Sequence, residues 1–190
     1  MILKRSIQFL AVMALLESFG NAQTSKRTPT SEQSKFAVEG IEIAKPVRIP
    51  EAVVKILRED KYVRGCLRQD QPSTEIPASW FVGSKIHLNE SDETDLIVLP
   101  RQLSAQDNSP SENACLYGAN VAPFWVFRKM PGGYVLVLGI SAMGLKVLST
   151  KSNGYRDIST WSSTAVTQTT LFFRFDGHKY RLSTKKASDE

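Results

Sequence analysis

The chain has 190 residues, 42% of them hydrophobic, enough for one domain with its own core and too few for two of ordinary size. Its 24 basic and 19 acidic side chains leave a formal charge of +5, which favours anionic surfaces but is too small to argue for nucleic acid. No stretch beyond the N-terminus is apolar for long enough to span a bilayer, so no transmembrane span is expected.

Residues 1–22 combine a basic start (Lys4, Arg5), an apolar run from Ile7 to Leu16, and small residues at Gly20 and Ala22. That order is the pattern of a secretory signal peptide, and the run is too short for a membrane anchor. A periplasmic or secreted protein is expected. Removing the segment takes away two cations and one acid, leaving +4. Residues 23–35 carry no large apolar side chain, and 23–45 are read as a flexible leader before a single domain at 46–185.

Cys66 and Cys115 are the two cysteines. An isolated pair in an oxidising compartment is expected to form a disulfide. A metal site or a catalytic thiol is the alternative. Neither cysteine lies in a C-x-x-C, and the chain has two histidines in all.

From Pro50, suited to a helix start, Val53, Ile56 and Leu57 fall on one helical face and Val54 widens the stripe. A short amphipathic helix ending near Asp60 is expected. After Pro77 the pattern turns to strands: 80–82, then 95–99 stopped by Pro100. Residues 101–113 read as a polar surface loop. Residues 124–127 form a further strand, and 130–133 a turn. The unbroken apolar run 134–140 suits a central strand buried on both faces, and 145–147 a half-exposed one. The fold class expected is α+β: mainly antiparallel β-sheet with one short N-terminal amphipathic helix.

Asp176-Gly177 signals a two-residue hairpin turn. Such a turn pairs Phe173 with Tyr180 and Leu171 with Leu182 on a core face. It sets Arg174 opposite Lys179 and Phe172 opposite Arg181 on a basic, aromatic-bearing surface. These four outward residues, with Trp161 in its polar run, are the candidate binding residues. The other aromatic residues in strands, Trp80, Phe81, Phe124, Trp125 and Phe127, are read as core rather than as a sugar platform.

Residues 87–98 (HLNESDETDLIV) resemble the D-x-N-G-D-G-x-x-D-L-I-V loop of FG-GAP and related secreted repeat proteins. The resemblance covers residues 80–99. It implies a strand–loop–strand in which alternating oxygens hold Ca²⁺. Asn89 and Asp95 keep ligand positions, Ser91 replaces a third, and His87 puts an imidazole where an oxygen belongs. Both loop glycines are replaced, by Glu90 and Asp92. Ca²⁺ needs six to eight oxygen ligands, so no metal is expected, and Asn89, Ser91 and Asp95 are what remains of its site. Taken whole, the layout is similar to small bacterial secreted proteins that end in an NGYRD…F-x-F-D-G-x-x-Y segment, here 153–180. That similarity implies no particular activity.

Catalytic patterns are absent: no G-x-S-x-G, no H-E-x-x-H and no glycine-rich phosphate loop. His178, with Asp176 or Asp157, is a general-base arrangement open to the residues, and a histidine beside a hairpin turn is ordinarily just exposed. Paired carboxylates for glycoside cleavage are another, but no acidic residue sits in an apolar run that would raise its pKa. No catalytic residue and no cofactor are expected. The favoured reading is an exported, non-catalytic binding protein whose partner is a protein or an anionic cell-wall polymer. An inhibitor of a hydrolase such as lysozyme is its sharper form, by analogy of size and compartment. A hydrolase with an unrecognised site and a Ca²⁺-stabilised structural module are the alternatives.

Overall fold

The computed structural model describes residues 32–39, 43–67, 76–102 and 112–189. The segment at 1–22, the leader up to residue 31, and most of the loop at 101–113 lie outside the described residues.

The described chain runs β1 (Lys35–Ala37), β2 (Pro46–Val47), α1 (Glu51–Arg58), α2 (Lys61–Arg64), β3 (Phe81–Ile86), β4 (Asp95–Pro100), β5 (Ala122–Met130), β6 (Gly133–Ala142), β7 (Gly144–Ser152), β8 (Tyr155–Ser163), β9 (Thr167–Phe175) and β10 (Tyr180–Asp189). These strands form two antiparallel sheets, ordered β2-β3-β4-β5-β6 and β1-β7-β8-β9-β10. The architecture is mainly antiparallel sheet with little helix. Short turns explain the pairing. Asn153 and Gly154 adopt φ of 48° and 79°, the paired positive values of a type I′ corner, and join β7 to β8. Met143 alone separates β6 from β7, so the chain steps there from one sheet to the other.

Inward residues of both sheets share one core. Ile86, Ile97, Phe124 and Val126 come from the first sheet, and Phe36, Leu145, Ile158, Phe173 and Tyr180 from the second. A second core lies on the other face of the first sheet. There Val53, Val54 and Leu57 of α1 pack with Leu96, Val98, Trp125 and Phe127. The order of layers is helices, first sheet, second sheet. The Asp60 carboxylate caps α2 by accepting the Tyr62 N–H, and the Tyr62 hydroxyl accepts the Ser141 N–H on β6 at 3.2 Å. The Cys66–Cys115 disulfide fastens the end of this helical layer to the 3-10 turn Ala114–Leu116.

Three expectations are corrected. Residues 35–37, within the expected leader, form β1 against β7, because Phe36 supplies the core with a side chain only 1% exposed. The apolar run 134–140 is not a central strand. It lies in β6, at the edge of its sheet, with Val135 49% exposed. Its apolar residues serve two layers instead: Tyr134 and Leu136 meet the helical core, while Val137 and Leu138 enter the core between sheets. An apolar run reports how many faces are covered, not where the strand stands in the order. The fully buried central strand is β4. Lastly, Trp80 closes a 3-10 turn, Ala78–Trp80, and the strand begins at Phe81.

Candidate functional site

The helical layer covers the outer face of the first sheet, and the outer face of the second carries the candidate site. Side chains alternate across a strand, so the register says which residues share that face. One row runs across all five strands: Lys35, Lys146, Ser159, Phe172 and Thr184. The next row is Gly144, Trp161, Thr170 and Lys186. On the other side of the first row, Arg174 stands directly opposite Arg181. Lys35, Lys146, Arg174, Arg181 and Lys186 are exposed, whereas Trp161 and Phe172 are half-buried between them.

Local contacts hold both aromatic rings. Trp161 lies flat against Gly144, whose missing side chain makes the room: a Cβ there would fall 2.0 Å from Trp161 Cζ2. Lys35 Nζ sits 5.2 Å from the centroid of the Trp161 ring, and Lys186 Nζ 5.4 Å from that of Phe172, within cation–π range. Trp161 is therefore half-buried and packed, although its neighbours in sequence are polar. Asp157 and Ser159 of β8 form the buried floor. Asp157 lines a pocket of about 270 Å³ together with Leu148, Thr150, Phe172, Arg174 and Lys186.

The terminal hairpin differs in register from the expectation. Tyr180 pairs with Phe175, Arg181 with Arg174 and Leu182 with Phe173. Asp176 is the first residue of the turn rather than its first central residue. Its Oδ1 accepts the N–H groups of both His178 and Lys179 at 2.8 Å, and Gly177 takes φ of 104° at the corner. A bulge after Leu182 then brings Thr184 opposite Phe172. The relative register shifts by two residues, an even number, so Phe173 and Tyr180 stay inward and Arg174 and Arg181 outward. Leu182, expected on the core face opposite Leu171, is 56% exposed. Arg174 meets Arg181 instead of Lys179, and Lys179 stands in the turn at the end of the face. The Asp176 carboxylate receives the Arg181 Nε at 2.9 Å, which offsets the like-charge contact. Backbone N–H donation from Lys179, then Arg181, hold the Asp176 carboxyl well below the usual carboxylate range.

The 87–95 loop spends its oxygens internally. Asp95 is buried, and its Oδ2 accepts the Leu88 N–H at 3.1 Å while Oδ1 accepts the Lys129 N–H at 2.8 Å. Burial pushes its carboxyl up despite these two bonds. Asn89 Oδ1 accepts from the N–H and the hydroxyl of Ser91. His87 faces Glu32, with Nδ1 at 3.0 Å from Oε1, and Arg156 donates to the other Glu32 oxygen at 3.3 Å. Glu90 pairs with Lys151. The loop thus ties the first sheet to the β7–β8 hairpin. His178 is exposed in its turn, where its backbone N–H rather than its ring engages Asp176.

Of the candidate binding residues, Phe172, Arg174, Arg181 and Trp161 stand on one face. Sequence reasoning missed Lys35, Lys146 and Asp157 as members of it. Their only local trace is the alternation of outward residues along each strand, which does not say which strands are neighbours. The other strand aromatics, Phe81, Phe124, Trp125 and Phe127, are buried in the two cores. Comparison with protein-family models, with curated proteins and with solved structures finds no match for this chain.

Proposed function

We propose that this protein is an exported, non-catalytic binding protein that docks an anionic cell-wall polymer on the outer face of its second sheet. The observation that carries the reading is the gathering of five cations around two aromatic rings on one face, from strands far apart in sequence. A polyanion gains there from charge complementarity, and the half-buried rings add apolar contact of a kind that a purely solvated basic edge lacks. Keeping lysines on an edge strand such as β10 also discourages strand-to-strand aggregation, but that use does not require the aromatic residues between them. Export is supported by the order of basic, apolar and small residues in 1–22 and by the Cys66–Cys115 disulfide, which suits an oxidising compartment.

Arg174 and Lys186 are exposed, so reversing both to glutamate leaves the core intact. Capture of isolated anionic wall polymer by the folded double variant should fall at least about tenfold at low salt, and the remaining binding should depend less on ionic strength. Equal capture by variant and parent removes this face from consideration. The intact mass of the exported protein should correspond to residues 23–190 less two hydrogens, and a retained N-terminus would count against export.

A further inference from the structure

The centre of the basic face carries the opposite charge. Asp157 is only 7% exposed, and its Oδ1 has no hydrogen-bond partner among the described residues. Carboxylate oxygens withdrawn from water are nearly always given a donor, because nothing else offsets the lost hydration. Asp157 lines a pocket of about 270 Å³ with Phe172, Arg174 and Lys186. Pockets for drug-sized ligands run to roughly 300–1,000 Å³, so the space suits a single ring-sized group.

Three demands meet in this pocket. Asp157 wants a donor, Phe172 offers a flat apolar surface, and two cations want an anion. A simple amine would satisfy Asp157 but meet Arg174 and Lys186. A bare phosphate would satisfy the cations but face the carboxylate. An apolar group would leave Asp157 unpaired. A sugar ring bearing a carboxylate answers all three, with hydroxyl donors, a C–H face and an anionic group. We infer that the Asp157 pocket takes one acidic sugar unit of a longer chain, a uronic acid or a carboxyl-bearing amino sugar. A ring hydroxyl donates to the Asp157 carboxylate, the ring lies on Phe172, and the sugar carboxylate meets Arg174 and Lys186. Lys186 is exposed and now lies over the Phe172 ring, so it yields that ring by turning toward the carboxylate. The row through Ser159 to Lys146 and Lys35 continues the surface for further units. This inference rests on the docking reading above. It adds that Asp157 separates acidic sugars from polyanions without hydroxyl donors at that position.

Calorimetric titration with three probes tests it: a galacturonic acid tetramer, the neutral galactose tetramer, and inorganic polyphosphate. The uronide should bind the parent protein more tightly than the neutral tetramer. Asp157→Leu and Phe172→Ser should each weaken uronide binding at least about tenfold, the loss expected of a charge-assisted hydrogen bond or of an apolar platform. Asp157→Leu should leave polyphosphate binding unchanged or stronger. A uronide with its hydroxyls methylated should lose the same factor on unmodified protein, a result that does not depend on how any variant folds. Unchanged uronide affinity in Asp157→Leu, or for the methylated uronide, overturns the sugar pocket while polyphosphate binding keeps the docking face. Absence of binding by all three probes overturns both.

Discussion

Replacing Gly144 by alanine puts a methyl group where the Trp161 indole now lies. The new carbon would sit 2.0 Å from Cζ2, 2.2 Å from Cη2 and 2.6 Å from Cε2. Carbon atoms rest at about 3.5–4.0 Å, so the ring must retreat by roughly 1.5 Å or the β7–β8 pair must open. The backbone offers no competing explanation, since Gly144 is not among the residues with positive φ. Overpacking of this kind costs about 1–3 kcal/mol. In a domain of this size each kcal/mol shifts Tm by roughly 2–4 °C, so Gly144→Ala should melt about 2–12 °C below the parent. Thermal unfolding followed by circular dichroism measures the loss, and Trp emission should move to the red as the ring swings outward. Removing the ring removes the clash. In a Trp161→Ala background the same substitution should therefore cost less than about 0.5 kcal/mol, a coupling that a double-mutant cycle reads directly. An unchanged Tm for Gly144→Ala, or an equal penalty with and without Trp161, would refute the account of how this ring is held on the docking face.

The Cys66–Cys115 disulfide spans a separation of 49 residues, so replacing both cysteines by serine should cost about 4 kcal/mol on the chain-entropy model, read as a lower urea midpoint. Asp95→Ala leaves the buried N–H of Leu88 and the half-buried N–H of Lys129 without an acceptor and should cost about 2–4 kcal/mol by the same measurement. Because the Asp95 oxygens are already engaged, Tm should agree within about 1 °C between EDTA and millimolar Ca²⁺, and a clear rise with Ca²⁺ abolished by Asp95→Ala would restore the metal loop. Burial pushes the Tyr117 phenol up to about 12 and raises that of Tyr180 as well. The folded state then holds these protons more tightly than the unfolded one, so stability should fall as pH climbs above the unfolded phenol value of about 10. Absorbance at about pH 11 should show both phenols still protonated in the native protein and ionised once it unfolds.

Features specified by near neighbours in the chain were legible from the residues. Asn153-Gly154 makes its corner because two adjacent positive φ values exclude most other residues, and Pro100 ends β4 because it lacks an N–H for the ladder. The disulfide has one solution when there are two cysteines. Where the outcome depended on a partner from elsewhere, local reasoning stopped short. β1 is three residues with one large apolar side chain and no periodicity, and it is a strand only because β7 pairs with it and the core accepts Phe36. Asp176-Gly177 announced a turn, but its register depended on which residue's carboxylate capped the corner. The docking face lay furthest from the sequence. Lys35, Lys146, Ser159, Phe172 and Thr184 form one row because five strands meet in the order β1-β7-β8-β9-β10. Period-2 alternation says that each points to one side of its own strand, and only the pairing of strands decides that these sides are the same.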